Sequence, residues 1–168
     1  IALDSDGNLV LTGSYTRTAD IDPSPGTFFL PDAGSTGNGN SFYLKLNPNL
    51  HFVWAKSIEQ VGGTYQVGDW GTAIATDSSG NVYALGEYRA NFDFDFGPET
   101  FQLSTSSDTN PDIYLLKLTS MGDFVWANSW GSTEFDVGRA LAVDKNDNIV
   151  VAGAFGGTNV GGTTASTD

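Results

Sequence analysis

The chain has 168 residues, of which 39% are hydrophobic and 16% charged, and its formal net charge is −13. This composition excludes a highly charged disordered chain, and the acidic surface excludes nucleic acid as an expected partner because it repels phosphates. The absence of cysteine excludes disulfides, thiol catalysis and thiolate metal sites. No run approaches the roughly 20 apolar residues of a membrane span, so we expect no membrane insertion.

One hairpin pattern occurs three times along the chain. It reads IALDSDGNLVLTG at 1–13, GTAIATDSSGNVYALG at 71–86 and GRALAVDKNDNIVVAG at 138–153. Asp4, Asp77 and Asp144 open the three turns, where their carboxylates are expected to accept hydrogen bonds from turn amides. Asp147 stands where the other two turns have glycine, which predicts a positive φ at an unusual residue type.

Each of the first two hairpins is followed by a loop and two further apolar runs. These are SFYLKL (41–46) and FVWAKS (52–57) in the first repeat, and IYLLKL (113–118) and FVWANS (124–129) in the second. Both faces of these runs are largely apolar and no helical periodicity lies between them, so stacked antiparallel sheets must cover them. The fold predicted is an all-β β-propeller with four-stranded blades of about 70 residues. The recurring Trp54 and Trp126 are expected to pack between blades.

The repeats divide the chain into blade one (1–73), blade two (74–140) and the first hairpin of a third blade (141–168). In this interpretation the repeated hairpin supplies the innermost strands of each blade. Propellers typically have about 4–8 blades. We therefore interpret the chain as part of a longer chain or of an assembly, with the remaining blades or neighbouring subunits as partners.

The order of these elements resembles a known repeat. I-A-x-D-x-x-G-N-x-x-x-x-G, a D-x-D loop, Y-L-x-K-L and F-V-W-A are similar to the SBBP-type, seven-bladed β-propeller repeat of bacterial proteins. The resemblance implies a propeller in a large secreted or cell-surface bacterial protein, often beside adhesion-type domains. It implies no shared catalytic site.

Two loops carry paired carboxylates at a spacing of 73 residues. Asp20 and Asp22 precede the second pair of strands in the first repeat, and Asp93 and Asp95 do so in the second. Alternate carboxylates on an extended segment point the same way, and Ca²⁺ prefers several such oxygen ligands. These four residues are therefore candidate calcium ligands. The alternative interpretation is that they accept hydrogen bonds from amides of their own loops.

Residues that do not recur are better candidates for a specific function. Trp70 and Tyr65 could stack on a sugar ring, or Trp70 could instead cover a blade junction.

Asp69 and Asp136, each two residues before a glycine, are interpreted as shaping the step from one blade to the next. His51, the only histidine, aligns with Asp123 in a turn. We interpret it as a solvated turn residue, not a catalytic base.

The leading functional hypothesis is a noncatalytic scaffold that presents loops to a protein or glycan partner outside the cell. One alternative is part of a polysaccharide-active propeller enzyme, because carboxylates are plentiful. Another is a structural piece of a fibre or multi-subunit surface assembly. No catalytic residue set stands out.

Overall fold

A computed structural model of the chain describes residues 1–32, 39–61, 68–107 and 109–157 and the backbone of 161–164. These residues form β-strands and no helix, so the all-β prediction is confirmed. It follows that none of them provides a membrane-spanning helix.

Sixteen strands make up the described structure. In chain order they are β1 (Ala2–Leu3), β2 (Leu9–Tyr15), β3 (Ala19–Asp20), β4 (Phe29–Leu30), β5 (Asn40–Leu46), β6 (Phe52–Ser57), β7 (Glu59–Gln60), β8 (Asp69–Thr76), β9 (Val82–Tyr88), β10 (Asn91–Asp93), β11 (Gln102–Ser104), β12 (Asp112–Leu118), β13 (Phe124–Gly131), β14 (Val137–Val143), β15 (Ile149–Ala154) and β16 (Gly161–Thr164).

The repeated elements form stacked antiparallel sheets. The first sheet has the order β1-β2-β5-β6, and the second has the order β8-β9-β12-β13 with β16 added beside β13. β14 and β15 form a separate C-terminal hairpin. The four-stranded repeat is therefore confirmed, and β16 is a fifth strand that the repeat pattern did not predict. The division of the chain into blades at residues 73 and 140 stays a prediction.

The three repeated turns have the hydrogen bonds expected of them. Oδ1 of Asp4 accepts from the amide of Asn8 at 2.8 Å. Asp77 and Asp144 make the same contact with the amide four residues later, at 2.9 Å in both turns. Asp147 has a φ of 62°, as its alignment with glycine predicts. These local contacts fix the hairpins because they satisfy turn amides that have no strand partner.

The segments after the first two hairpins, which the sequence predicts only as loops, contain short strands. β3 pairs with β4 in the first repeat, and β10 pairs with β11 in the second. β10 also pairs with β7, directly after the last strand of the first sheet. β16 pairs with the end of β13 in the corresponding way. Backbone hydrogen bonds therefore join successive repeats at the outer strand of each sheet.

The core lies within and between the sheets. Strand β8 packs against the first sheet, and β14 packs against β8 and β9. Successive residues of β9, Val82 to Leu85, are all buried, so this strand is covered on both faces as predicted. Tyr88, Phe94 and Tyr114 meet edge to face, with centroid distances of 5.1 to 6.1 Å. Each such pair contributes about 1 kcal/mol beyond the burial of its area.

Candidate functional site

The paired aspartates stabilise the two loops that carry them. These are the loop between β2 and β5 and the loop between β9 and β12, here called the first and second insertion loops. Oδ1 of Asp20 accepts from the amide of Phe28 at 3.0 Å, and Oδ1 of Asp93 accepts from the amide of Phe101 at 2.9 Å. Each also accepts from an amide two residues later. Asp22 and Asp95 cap the next turns, through the amides of Ser24 and Gly97 at 2.8 and 2.7 Å. These are the hydrogen bonds expected from the alternative to calcium binding.

Within the described ranges no group of three or more His, Asp and Glu side chains is placed to hold a metal ion. Asp20 with Asp22, and Asp93 with Asp95, lie in separate loops of successive repeats. Calcium binding by these four residues therefore stays a prediction.

A cavity of about 420 Å³, here called the rim groove, lies between the two insertion loops. Its lining comes from the first insertion loop and β4, from β6 and β7, and from the second insertion loop. Its lining residues are Phe28, Phe29, Leu30, Pro31, Ala55, Lys56, Ser57, Glu59, Asp93, Asp95, Phe96 and Gly97. The rim groove thus brings together two of the four predicted aspartates and residues of two repeats.

The rim groove combines exposed aromatic rings with a negative charge. Phe29 is 61% exposed, and Phe28 stacks on Phe52 with ring centroids 4.7 Å apart. Large apolar side chains of this kind are normally buried, and their exposure on the wall of a cavity is typical of interaction sites. Glu59, Asp93 and Asp95 supply three carboxylates against the single ammonium of Lys56.

Lys56 of β6 contacts an aromatic ring of the second insertion loop. Its Nζ lies 5.9 Å from the centroid of the Phe96 ring, within the range of a cation–π contact. Phe96 in turn packs against Tyr43, with centroids 6.1 Å apart. Among the described lining residues Lys56 is the one cation, and it is engaged with a ring, so the three carboxylates set the electrostatic character of the groove.

The predicted sugar-stacking residues do not form a described pair. Trp70 lies in β8, and the Arg89 guanidinium is 5.2 Å from its ring and 5.8 Å from the ring of Phe135. Arg89 therefore bridges the second sheet and the segment before β14, which fits the junction interpretation of Trp70. Tyr65 lies outside the described residues. Glycan binding by Trp70 and Tyr65 stays a prediction.

His51 is an exposed turn residue, as interpreted from the sequence. Its backbone amide donates to Oδ1 of Asn47 at 3.0 Å. This contact is the same turn bond that the repeated aspartates accept, so the backbone of His51 has a local structural role.

A buried polar cluster joins the two sheets and could not be identified from the sequence. Oδ2 of Asp69 accepts hydrogen bonds from the amide of Ser41, at 2.8 Å, and from the Ser41 hydroxyl. The hydroxyls of Tyr43 and Tyr114 lie 2.8 Å apart, and that of Tyr114 donates to Ser41 Oγ. The only sequence signal is the recurrence of Asp69 as Asp136.

The cluster is electrostatically unusual because Asp69 is fully buried. Burial raises the pKa of the Asp69 carboxyl well above its usual range, and the hydrogen bond from Ser41 offsets only part of this. Burial is also the largest cause that raises the pKa of Tyr43, and the neighbouring Tyr114 and Asp69 raise it further. Among the residues that the structure describes, Oδ1 of Asp69 has no hydrogen-bond partner. The four side chains of the cluster have no solvent access. The cluster therefore joins the two sheets and is not open to a ligand.

Comparison with known proteins identifies a WD repeat-containing relative. No family model matches the chain. It is 29% identical over 161 residues to an uncharacterized WD repeat-containing protein of Acanthamoeba polyphaga mimivirus. The match covers 92% of this chain but only 11% of that relative's length. Together with the stacked antiparallel sheets, it supports a propeller-type fold.

Proposed function

We propose that this chain is a noncatalytic propeller-type scaffold that binds a segment of a protein partner in the rim groove. The observation that carries the proposal is the presence of exposed phenylalanine rings beside three carboxylates in one groove between two repeats. The similarity to a WD repeat-containing protein supports a propeller scaffold, and loops at the ends of such scaffolds are where partners usually bind.

The chemistry of the groove selects the kind of partner. Phe28 and Phe29 offer apolar area, and Glu59, Asp93 and Asp95 attract positive charge. The chain as a whole carries a net charge of −13, which speeds encounter with basic partners and slows it with acidic ones. The partner segment is therefore one in which arginine or lysine alternates with large apolar side chains.

The test uses a panel of fluorescent peptides, some basic and apolar, others acidic or scrambled. Binding to the 168-residue chain is followed by fluorescence anisotropy. Basic, apolar peptides are expected to bind best, and binding should weaken about tenfold or more between about 50 mM and about 500 mM salt because exposed charges are screened. Phe29→Ala and Glu59→Gln should each weaken binding of the best peptide.

Matched control variants separate the groove from the general charge and hydrophobicity of the chain. Leu50→Ala removes another exposed apolar side chain, and Asp6→Asn removes another exposed carboxylate; both lie in turns away from the groove. Neither should change peptide affinity. Equal losses in groove variants and their controls, or equal binding of acidic and basic peptides, would refute a specific site.

Three further aspects stay predictions alongside this function. They are the location outside a bacterial cell, the membership in the SBBP-type repeat family and the lack of catalytic activity. The proposed role in binding a protein segment depends on none of them.

A further inference from the structure

The outer strand of the first sheet has an open edge in the rim groove. Strand β6 pairs with β5 along one side. On the other side, pairing with the second repeat in the described structure starts only at Glu59, which lies opposite Asp93. The groove is lined by Ala55, Lys56 and Ser57, three successive residues of β6. Because successive residues of a strand point to opposite faces, a groove lined by all three runs along the edge of the strand.

The second repeat shows what the same edge of its own outer strand binds. Strand β13 corresponds to β6 with an offset of 72 residues, and β16 lies antiparallel along it. β16 pairs with Asn128 and Ser129, which correspond to Lys56 and Ser57. In the first repeat the second insertion loop follows this edge only as far as Asp93. The edge is therefore covered by a strand in the second repeat and left open in the described part of the first.

The paired aspartates of the second insertion loop keep this edge open. Continuing the register between β7 and β10 would place Asp95 opposite Ser57. The amide of Asp95 donates instead to Oδ1 of Asp93, at 3.0 Å. Oδ1 of Asp95 accepts from the amide of Gly97 at 2.7 Å, which closes the next turn. The loop thus satisfies its own amides and leaves the backbone of β6 to another ligand.

Two residues of β6 present backbone groups to the groove. The amide of Val61, just after β7, donates to the carbonyl oxygen of Asn91 at 2.9 Å. Backbone groups alternate in direction along a strand, so those of Ser57 and Ala55 point the same way, away from β5. No backbone group of the described residues pairs with them on that side. Ser57 and Ala55 are only 8% and 5% exposed, and backbone groups of buried residues normally have partners.

The two insertion loops lie on opposite faces of β6 at this edge. Leu30 of the first loop packs in one core cluster with Ala55. Phe96 of the second loop lies against Lys56, which points to the other face. The first loop contributes two phenylalanine rings to the groove, and the second contributes two aspartates. A strand added to β6 would therefore have one face against apolar rings and the other against carboxylates.

We propose that the partner segment binds the rim groove as an added β-strand, antiparallel to β6 as β16 is to β13. One residue of the segment exchanges both backbone hydrogen bonds with Ser57, and the residue two positions later does so with Ala55. Their side chains face the first insertion loop, and the side chain between them faces the second. This binding mode rests on the proposed function. It gives the partner's alternation of apolar and basic side chains a period of two.

The charges around the edge favour a basic segment of a different protein over other occupants. Glu59, Asp93 and Asp95 line the groove with Lys56 as the one cation among the described lining residues. A second copy of the chain brings the same net charge of −13, so the two copies repel each other. Strand addition obtains affinity from backbone hydrogen bonds and specificity from alternate side chains. A basic, extended segment satisfies both requirements.

The experiment is an N-methyl scan of the best basic, apolar peptide from the panel. Each peptide carries one N-methyl group, which removes one backbone donor and keeps every side chain. Fluorescence anisotropy gives its affinity for the parent 168-residue chain. We expect N-methylation of two amides, two residues apart, to weaken binding about tenfold or more. N-methylation of the amide between them should weaken binding less than about threefold, because that amide points away from β6.

Ser57→Pro removes the matching donor from the chain. Proline is tolerated where the N–H of an edge strand points away from its partner, so the pairing of β6 with β5 should persist. Ser57→Pro should weaken peptide binding at least about tenfold more than Ser57→Ala, which keeps the N–H.

The possible outcomes separate this proposal from the proposed function. Binding that N-methylation weakens equally at every position, or at none, would overturn strand addition alone. Equal affinities of Ser57→Pro and Ser57→Ala would do the same. If no peptide of the panel binds, both proposals fail. Dimers of the chain that compete with the peptide, seen by sedimentation, would overturn the proposal and assign the edge to a second copy.

Discussion

Replacing Asp69 with Asn removes the titration of a carboxyl group that lies fully buried between the two sheets. Oδ2 accepts hydrogen bonds from Ser41, while Oδ1 has no partner in the described part of the chain. An unpaired oxygen is costly when it carries charge in a medium of low dielectric constant. Folding therefore favours the protonated acid, and burial raises the pKa of Asp69 well above its usual range.

The sign of the pH dependence follows from this shift. A carboxyl group with a raised pKa in the folded state contributes its full stabilisation below the unfolded pKa of about 3.9. That contribution is lost as the pH rises toward the folded-state pKa. In this window one group changes the free energy of unfolding by up to about 1.4 kcal/mol per pH unit. Asp69→Asn has no such loss, because Asn does not titrate.

Urea unfolding followed by tryptophan fluorescence gives the free energy of unfolding at several pH values between about 5 and about 8. We expect the Asp69→Asn variant to gain stability relative to the parent chain as the pH rises, with a difference that grows by up to about 1.4 kcal/mol per unit. Asp6→Asn, an exposed change of the same charge, should follow the parent chain. Parallel curves for Asp69→Asn and the parent would refute the assignment of a protonated Asp69.

The remaining predictions also concern stability. Lys45→Met should lower the free energy of unfolding, measured in urea, by about 3 kcal/mol. The reason is that it leaves the Asp4 carboxylate, whose side chain is only 2% exposed, without its ion pair. A loss under about 1 kcal/mol would contradict a buried ion pair. Lys117→Met should cost about 1 kcal/mol or less, because its distance to a carboxylate is 4.0 Å and its side chain is partly exposed. Gly86→Ala should lower the melting temperature markedly and reduce the free energy of unfolding by about 3 kcal/mol, because its Cβ would overlap with the Tyr114 hydroxyl. An unchanged melting curve would contradict this close packing of β9 against Tyr114.

Burial raises the pKa of Tyr43 and stabilises its neutral form, so the parent chain should lose stability as the pH rises above the ordinary tyrosine pKa of about 10. Tyr43→Phe should reduce that loss, and the comparison is made by urea unfolding at about pH 9 and about pH 11. The variant loses the hydrogen bond between the Tyr43 and Tyr114 hydroxyls, so its stability at neutral pH should fall by about 1 kcal/mol. An equal alkaline loss in both chains would contradict the assignment.

Local sequence signals predict the repeated parts of the fold well. The turns at Asp4 and Asp77 form as expected because their hydrogen bonds connect residues at most four apart. Trp54 lies between the sheets as predicted, and the positive φ at Asp147 follows from its alignment with glycine. The turn aspartates accept the same local hydrogen bonds in each repeat, so comparing repeats is informative for the turns; Trp126, the counterpart of Trp54, is only partly buried.

Contacts between distant segments could not be predicted in the same way. The pairing of β7 with β10 joins segments about 30 residues apart through backbone groups, which carry no sequence signature. Ser41 and Asp69 meet only once, because the second repeat has Ile113 at the position of Ser41. The rim groove arises where two insertion loops meet, so its composition follows from the stacking of repeats and from no single motif.

Hydrogen–deuterium exchange with mass spectrometry, with and without the best basic peptide, tests the central claim most directly. If the chain is a scaffold that binds a protein segment between its repeats, the bound peptide should slow exchange in residues 28–31, 55–59 and 93–97. The repeated turns at 4–8 and 77–81 should exchange at unchanged rates. Slower exchange confined to those turns, or no change at saturating peptide, would contradict the account.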